Sequence, residues 1–283
     1  MSPPWSPQLA PETAPLGVTG VLRALLKAGA LLVLLASGLV LLLALRLAER
    51  ALARGRRRWS PWVTVAVCRL ALRLIGLRVL RRGDVMTQPG GIVANHGSWL
   101  DIFVLNALGP VCFVAKSEVA RWPVVGWLAR ATGTVFIRRE RRDARVQRAL
   151  LLARLKAGQR LLFFPEGTSA DGLSVLPFKS TLFAAFFMPE TGPDTWVQPI
   201  SLRYRAPAGR DPRFYGWWGE MSFFPHLLKV LGAPRQGGVF LCCQAPLRVA
   251  DFSDRKALAE ACESAVRAGM RLGAEAPRAA ETR

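Results

Sequence analysis

The chain has 283 residues, 51% of them apolar, and its 39 Lys and Arg against 19 Asp and Glu give a formal net charge of +20. That length holds one good-sized catalytic domain plus an appendage, and the apolar share excludes an intrinsically disordered chain. The charge calls for a partner dense in negative charge: anionic lipid headgroups, nucleic acid or an acidic carrier protein.

Residues 1–20 are Pro-rich and read as a mobile tail. From 28 to 45 the chain is uncharged and dominated by Leu, Ala and Val; extended to 21–46, with Arg23 and Lys27 snorkelling, it is long enough for a transmembrane helix. Arg46, Arg50, Arg54, Arg56, Arg57 and Arg58 follow, so the positive-inside rule places everything downstream on the cytoplasmic side. A signal peptide competes through the cleavage-like Ala51-Leu52-Ala53, but the apolar run is long for one. Residues 59–80 form a second apolar stretch with Arg69 and Arg73 on one helical face, which suits an amphipathic helix lying in the membrane interface.

From about residue 77 strand-like and helix-like segments alternate. Strands are expected at 77–80, 92–94, 111–115, 134–137, 160–164, 197–202 and 239–243, and helices at 100–108, 141–156 and 255–271. This argues for a single α/β domain over 77–272, a sheet with helices on both faces, followed by a flexible tail from 273 to 283. The five cysteines (Cys68, Cys112, Cys242, Cys243, Cys262) have no zinc spacing and no disulfide framework, and read as reduced core thiols.

With two histidines in the chain, the search for a general base is narrow. His96 stands in Asn-His-Gly-Ser-Trp-Leu-Asp, residues 95–101, after a short apolar strand and at the opening of a helix. Asp101 can reach the second ring nitrogen, fixing the tautomer as in a catalytic dyad. Ser98 to Asp101 also fits a capping box, which would make Asp101 purely structural. A second cluster, Phe-Pro-Glu-Gly-Thr-Ser at 164–169, can present amides and a hydroxyl to a polar headgroup, or be an ordinary glycine turn. A third, Gly-Thr-Val-Phe-Ile-Arg-Arg at 133–139, carries two arginines to a strand end, where they can fork a phosphate or simply begin a charged helix. Val-Gln-Pro-Ile at 197–200 has no chemistry of its own.

These four clusters, in this order, resemble the glycerolipid acyltransferase family typified by 1-acylglycerol-3-phosphate acyltransferase, over roughly residues 75–250. The resemblance implies a glycerolipid acyltransferase fold, with a central mixed sheet. It implies His96 as general base, Asp101 as its orienting partner, and Arg139, Glu166, Gly167 and Thr168 as contacts for the acceptor headgroup. It further implies direct attack of a lysolipid hydroxyl on the thioester of acyl carrier protein or acyl-CoA, with no acyl-enzyme, no metal and no cofactor.

Phosphatidate-forming members usually carry Arg after Phe-Pro-Glu-Gly-Thr, where this chain has Ser169. The run 169–183 and the Trp- and His-containing block 214–227 are similar to a bacterial branch that includes lyso-ornithine lipid acyltransferases. Lyso-ornithine lipid is therefore the favoured acceptor, with lysophosphatidate the alternative, for which Arg139 and Lys179 would supply positive charge. His226, in the same block, reads as structural; Trp217, Trp218, Phe223 and Phe224 sit either at headgroup level or in the core. The expected setting is a bacterial cytoplasmic membrane. Nucleic-acid binding lacks a recognisable module, a non-catalytic lipid-binding relative should lack His96 or Asp101, and a hydrolase using Ser98 lacks the nucleophile elbow.

Overall fold

The computed structural model describes residues 15–52, 57–122, 125–138 and 144–275. Helix α1 (Val18–Leu52) runs unbroken for 35 residues, roughly 50 Å at the standard rise. Helix α2 (Ser60–Ile75) starts with Pro61 in its first turn and a Trp59 cap that has no acceptor to offer. Glu49 of α1 supplies it instead: Oε1 accepts the Trp59 and Ser60 amides at 2.6 and 2.9 Å. At the other end Gly76, with φ +87°, closes α2 in a left-handed cap, so the expected helix over 59–80 stops short. Strand β1 (Arg78–Arg82) takes up the residues beyond it.

The two helices lie antiparallel, with Gly38 of α1 against Val67 of α2 so closely that a Cβ would come within 2.5 Å of Val67 Cγ2. Lys27 Nζ donates to the Ile75 carbonyl at 2.8 Å, and Arg23 Nη1 donates to the Gly232 carbonyl at 2.8 Å. Both cations thus satisfy carbonyls at helix C-termini, where a positive charge also complements the dipole.

The sheet comprises β1, β2 (Gly90–Ala94), β3 (Cys112–Lys116), β4 (Val135–Ile137), β5 (Leu161–Phe163), β6 (Trp196–Arg205), β7 (Gly238–Cys243) and the short β8 (Leu247–Arg248). Its order is β1-β7-β6-β2-β5-β3-β4, with β8 also on β6. The pairs from β6 to β4 are parallel; β7 runs antiparallel to β6. Connecting helices are α3 (Asp101–Asn106), α4 (Val125–Thr132), α5 (Ala144–Lys156), α6 (Phe223–Gly232) and α7 (Arg255–Glu275).

Alternate residues of the buried strands feed two cores. Ile92, Ala94 and Leu162 pack with α2, α3 and α6, while Val93, Leu161 and Phe163 pack with α5 and α7. The mixed sheet with helices on both faces is as expected. Helices α4 and α6 were not legible, being only 8 and 10 residues long, and α7 continues past residue 273 to Glu275. All five cysteines are buried free thiols.

Candidate active site

Strand β2 delivers its last residue, Ala94, opposite Ile200 of β6. The buried Asn95 side chain then carries the pairing further, accepting the Leu202 N–H at 2.8 Å and donating to the Leu202 carbonyl at 3.0 Å. This fixes where the chain leaves the sheet, and His96 follows. Its half-buried ring stacks on Phe164 with centroids 4.1 Å apart and planes 10° from parallel.

Nδ1 of His96 lies 2.7 Å from Oδ2 of Asp101, the first residue of α3, whose side chain is fully buried. The same Oδ2 accepts the amides of Gly97 and Ser98 at 2.9 and 3.0 Å. Oδ1 accepts the phenolic O–H of Tyr204 at 2.6 Å. The two readings of Asp101 are therefore one arrangement: the carboxylate closes the turn before α3 and faces the imidazole. Ringed by donors, it is held as an acceptor, so Nδ1 carries the proton and Nε2 keeps its lone pair. A base of this kind can take a proton from a hydroxyl. Ser98 is buried, and its Oγ accepts the Leu100 amide, so it is not poised as a nucleophile.

Tyr204 went unnoticed in the sequence because it lies 103 residues from Asp101 and beyond the strand expected at 197–202. Tyr204→Phe keeps the ring that packs on Tyr215 at 5.5 Å and removes only the O–H bond. We expect kcat to fall about tenfold at unchanged KM, which is about 1.4 kcal/mol of barrier, measured by initial-rate kinetics.

Two loops close on the His96 turn. The Ala170 amide donates to the His96 carbonyl at 2.8 Å, and the Trp217 amide donates to the Gly97 carbonyl at 2.9 Å. Gly97 faces Gly172 so tightly that a Cβ would lie 2.6 Å from its Cα, and Gly172 in turn faces Gly216. Ala170, directly after the second cluster, and Trp217 of the aromatic block, 214–227, thereby bond these segments to the His96 turn.

The expected headgroup contacts distribute unevenly. Thr168 is exposed beside Gly167, whose φ of +73° makes the turn. Lys179 is exposed, and its amide donates to the Pro165 carbonyl at 3.0 Å, bringing it to the start of the same loop. Arg139 lies outside the described residues. Glu166 is 1% exposed, and neither carboxyl oxygen completes a hydrogen bond of normal geometry. Burial, opposed by the nearby His96 and Leu176 amides and reinforced by Asp101, drives its ionisation well above the usual carboxylate range. In this conformation Glu166 is a buried acid whose charged form its surroundings disfavour.

His226 is buried on α6, where its Nδ1 accepts the Trp99 indole N–H at 3.0 Å. Trp99, Trp217 and Phe223 form an edge-to-face cluster around it; Phe224 is 73% exposed, whereas Trp218 is a core residue. Burial, aided by Lys229, lowers the His226 pKa to about 4 from 6.5. Protons thus bind more strongly to the unfolded chain between these values, so stability is lost as the pH falls through that window. The loss reaches about 3 kcal/mol near pH 4, read by denaturant melts, and His226→Gln lacks this dependence.

An α/β sheet that presents a histidine–carboxylate pair at a strand end, beside a long apolar helix, defines an enzyme of acyl transfer when matched to known proteins. Residues 71–203 match the family model described as acyltransferase. The chain is 53% identical over 268 residues to the lyso-ornithine lipid O-acyltransferase of Rhodobacter capsulatus, covering 95% of this chain and 97% of that protein. It is 40% identical over 144 residues to a 1-acyl-sn-glycerol-3-phosphate acyltransferase of Neisseria gonorrhoeae, covering 50% and 54% respectively. The fold is that of the crystal structure of the 1-acyl-sn-glycerophosphate acyltransferase of Thermotoga maritima, with TM-score 0.65 at 23% identity, covering 91% of this chain and 98% of that one. The chain belongs to this acyltransferase family and is an acyltransferase.

Proposed function

We propose that the chain is a membrane-bound lysolipid O-acyltransferase whose acceptor is lyso-ornithine lipid. The observation that carries the acceptor is the 53% identity along 95% of the chain to an enzyme of that name. Ser169 in place of a phosphate-forking arginine agrees with it.

In the proposed reaction His96 Nε2 accepts the proton of the acceptor hydroxyl as that oxygen attacks the thioester carbonyl. Asp101 stabilises the imidazolium that forms, the C–S bond breaks, and the imidazolium returns the proton to the thiolate. Asp101 is held for this by Tyr204, and Glu166 supports the His96 turn from beneath. Thr168, Gly167, Lys179 and Arg139 serve the headgroup. The donor is the thioester of acyl carrier protein or of coenzyme A. No metal or cofactor enters this scheme.

We also propose that α1 and α2 enter the bilayer together with the catalytic domain on the cytoplasmic side. Leu25, Leu26, Leu32, Val33 and Val40 of α1, Leu70 of α2 and Phe224 of α6 are exposed apolar side chains, which water disfavours and lipid does not. The bonds from Arg23 and Glu49 tie both ends of α1 to the rest of the chain, so α1 brings α2 and α6 to the membrane with it.

The test is acyl transfer by the purified membrane protein to lyso-ornithine lipid and to lysophosphatidate, with acyl–acyl carrier protein and acyl-CoA as separate donors. Preferred acylation of lyso-ornithine lipid is expected. Preferred formation of phosphatidate would overturn the acceptor assignment.

A further inference from the structure

Opposite the His96 end of the parallel strands, Gly133 leads into β4 with φ +90°, and two guanidinium groups close over it. A Cβ at Gly133 would collide with Arg57 Nη1 and lie 3.7 Å from Arg46 Nη2. Arg154, near the end of α5, and Arg50 share this field: burial and then Arg154 make the charged form of Arg57 harder to hold. Glu49 is the acid in the group, and its Oε1 is engaged by the Trp59 and Ser60 amides. Among the described residues, Arg46 Nε is buried and without an acceptor. Like charges gathered this closely, with a buried donor unpaired, lack an anion.

An open, apolar groove of about 430 Å³ runs between α1 and α2, lined by Leu34, Gly38, Leu41, Trp59, Ala66 and Val67 among others. Its Trp59 end is two residues from Arg57, and Leu41 is little more than one turn before Arg46. Trp59 and Trp62 are exposed there, as indole rings at a membrane interface are.

We propose that the groove and the arginines at its end bind one anionic phospholipid, its acyl chain along α1 and α2 and its phosphate forked by Arg57 and Arg46 over Gly133. The apolar slot ending in cations matches a molecule that is apolar at one end and anionic at the other. Gly133 is required because any side chain would occupy the place of the Arg57 guanidinium. The site lies away from His96, so this lipid is a resident of the fold and not the acceptor.

The full-length protein, delipidated in detergent, is reconstituted with equal phosphatidylglycerol and phosphatidylcholine and extracted again. Native mass spectrometry then reads the lipid retained. We expect phosphatidylglycerol to be kept in preference, and its retention to fall about tenfold in the Arg46→Gln, Arg57→Gln double variant. A variant with the same charge change elsewhere, Arg255→Gln with Lys256→Gln, keeps it. Ala66→Trp, which fills the groove, loses the lipid too. Equal retention of both lipids, an unaffected double variant, or an equal loss in the charge-matched control would overturn the proposal. So would stabilisation by inorganic phosphate alone with lipid retained in Ala66→Trp, which would mark a free-phosphate site. A raised KM for acyl–acyl carrier protein in the double variant, with phosphatidylglycerol still held, would assign the arginines to the carrier and reject the lipid.

Discussion

His96→Ala is expected to lower kcat by about a hundred- to ten-thousand-fold, the usual contribution of a general base. The fold should survive. The ring is half-buried, and Asp101 keeps its bonds to the Gly97 and Ser98 amides and to Tyr204 when the imidazole is removed. What disappears is the one Nε2 lone pair poised to accept a hydroxyl proton. The check is an initial-rate assay on detergent-purified protein, paired with a thermal melt by circular dichroism. Near-normal turnover in a folded variant would reject the mechanism and leave the pair a structural feature of the turn.

The second large effect separates the two tasks of Asp101. Asp101→Ala strands three buried donors in addition to the imidazole, and breaking a buried charged pair of this kind costs about 3–5 kcal/mol. Loss of activity there says little, because the turn before α3 loses its closure. Asp101→Asn is more informative. Its amide oxygen can take the place of Oδ2 before His96 and the Gly97 and Ser98 amides, while its NH₂ meets a Tyr204 hydroxyl turned to accept. Stability should then fall by only about 1–2 kcal/mol. The negative charge opposite the imidazolium is nevertheless gone, and kcat should drop by at least about a hundredfold. Denaturant melts give the first quantity and initial rates the second. An Asn variant with full activity would show that Asp101 serves the turn alone.

These expectations draw on different parts of the chain's information. By itself the sequence determined the α/β class, because strand-like apolar runs alternate with helical periods and the α5 and α7 stretches are long enough to read. The motifs' resemblance to the acyltransferase family pointed to the His96–Asp101 pair, whereas the five-residue spacing alone left Asp101 open between a dyad and a capping box. The apolar stretch of α1 was equally plain, because composition alone makes a helix that water cannot surround on all sides.

Tertiary structure decided the rest, and each case involves partners distant in the chain. Tyr204 reaches Asp101 only when β6 lies beside β2, and Asn95 reads as a motif residue until its amide is seen continuing the β2–β6 pairing at Leu202. Glu166 reads as a motif residue until the fold buries it, where burial disfavours its charged form. Arg23 and Lys27 look like interfacial cations until α6 and α2 bring their C-terminal carbonyls to them. The physical reason is common to Tyr204, Asn95, Arg23 and Lys27. Local periodicity states which residues avoid water, whereas the partner of a buried polar group is set by packing between segments that the sequence keeps tens to hundreds of residues apart.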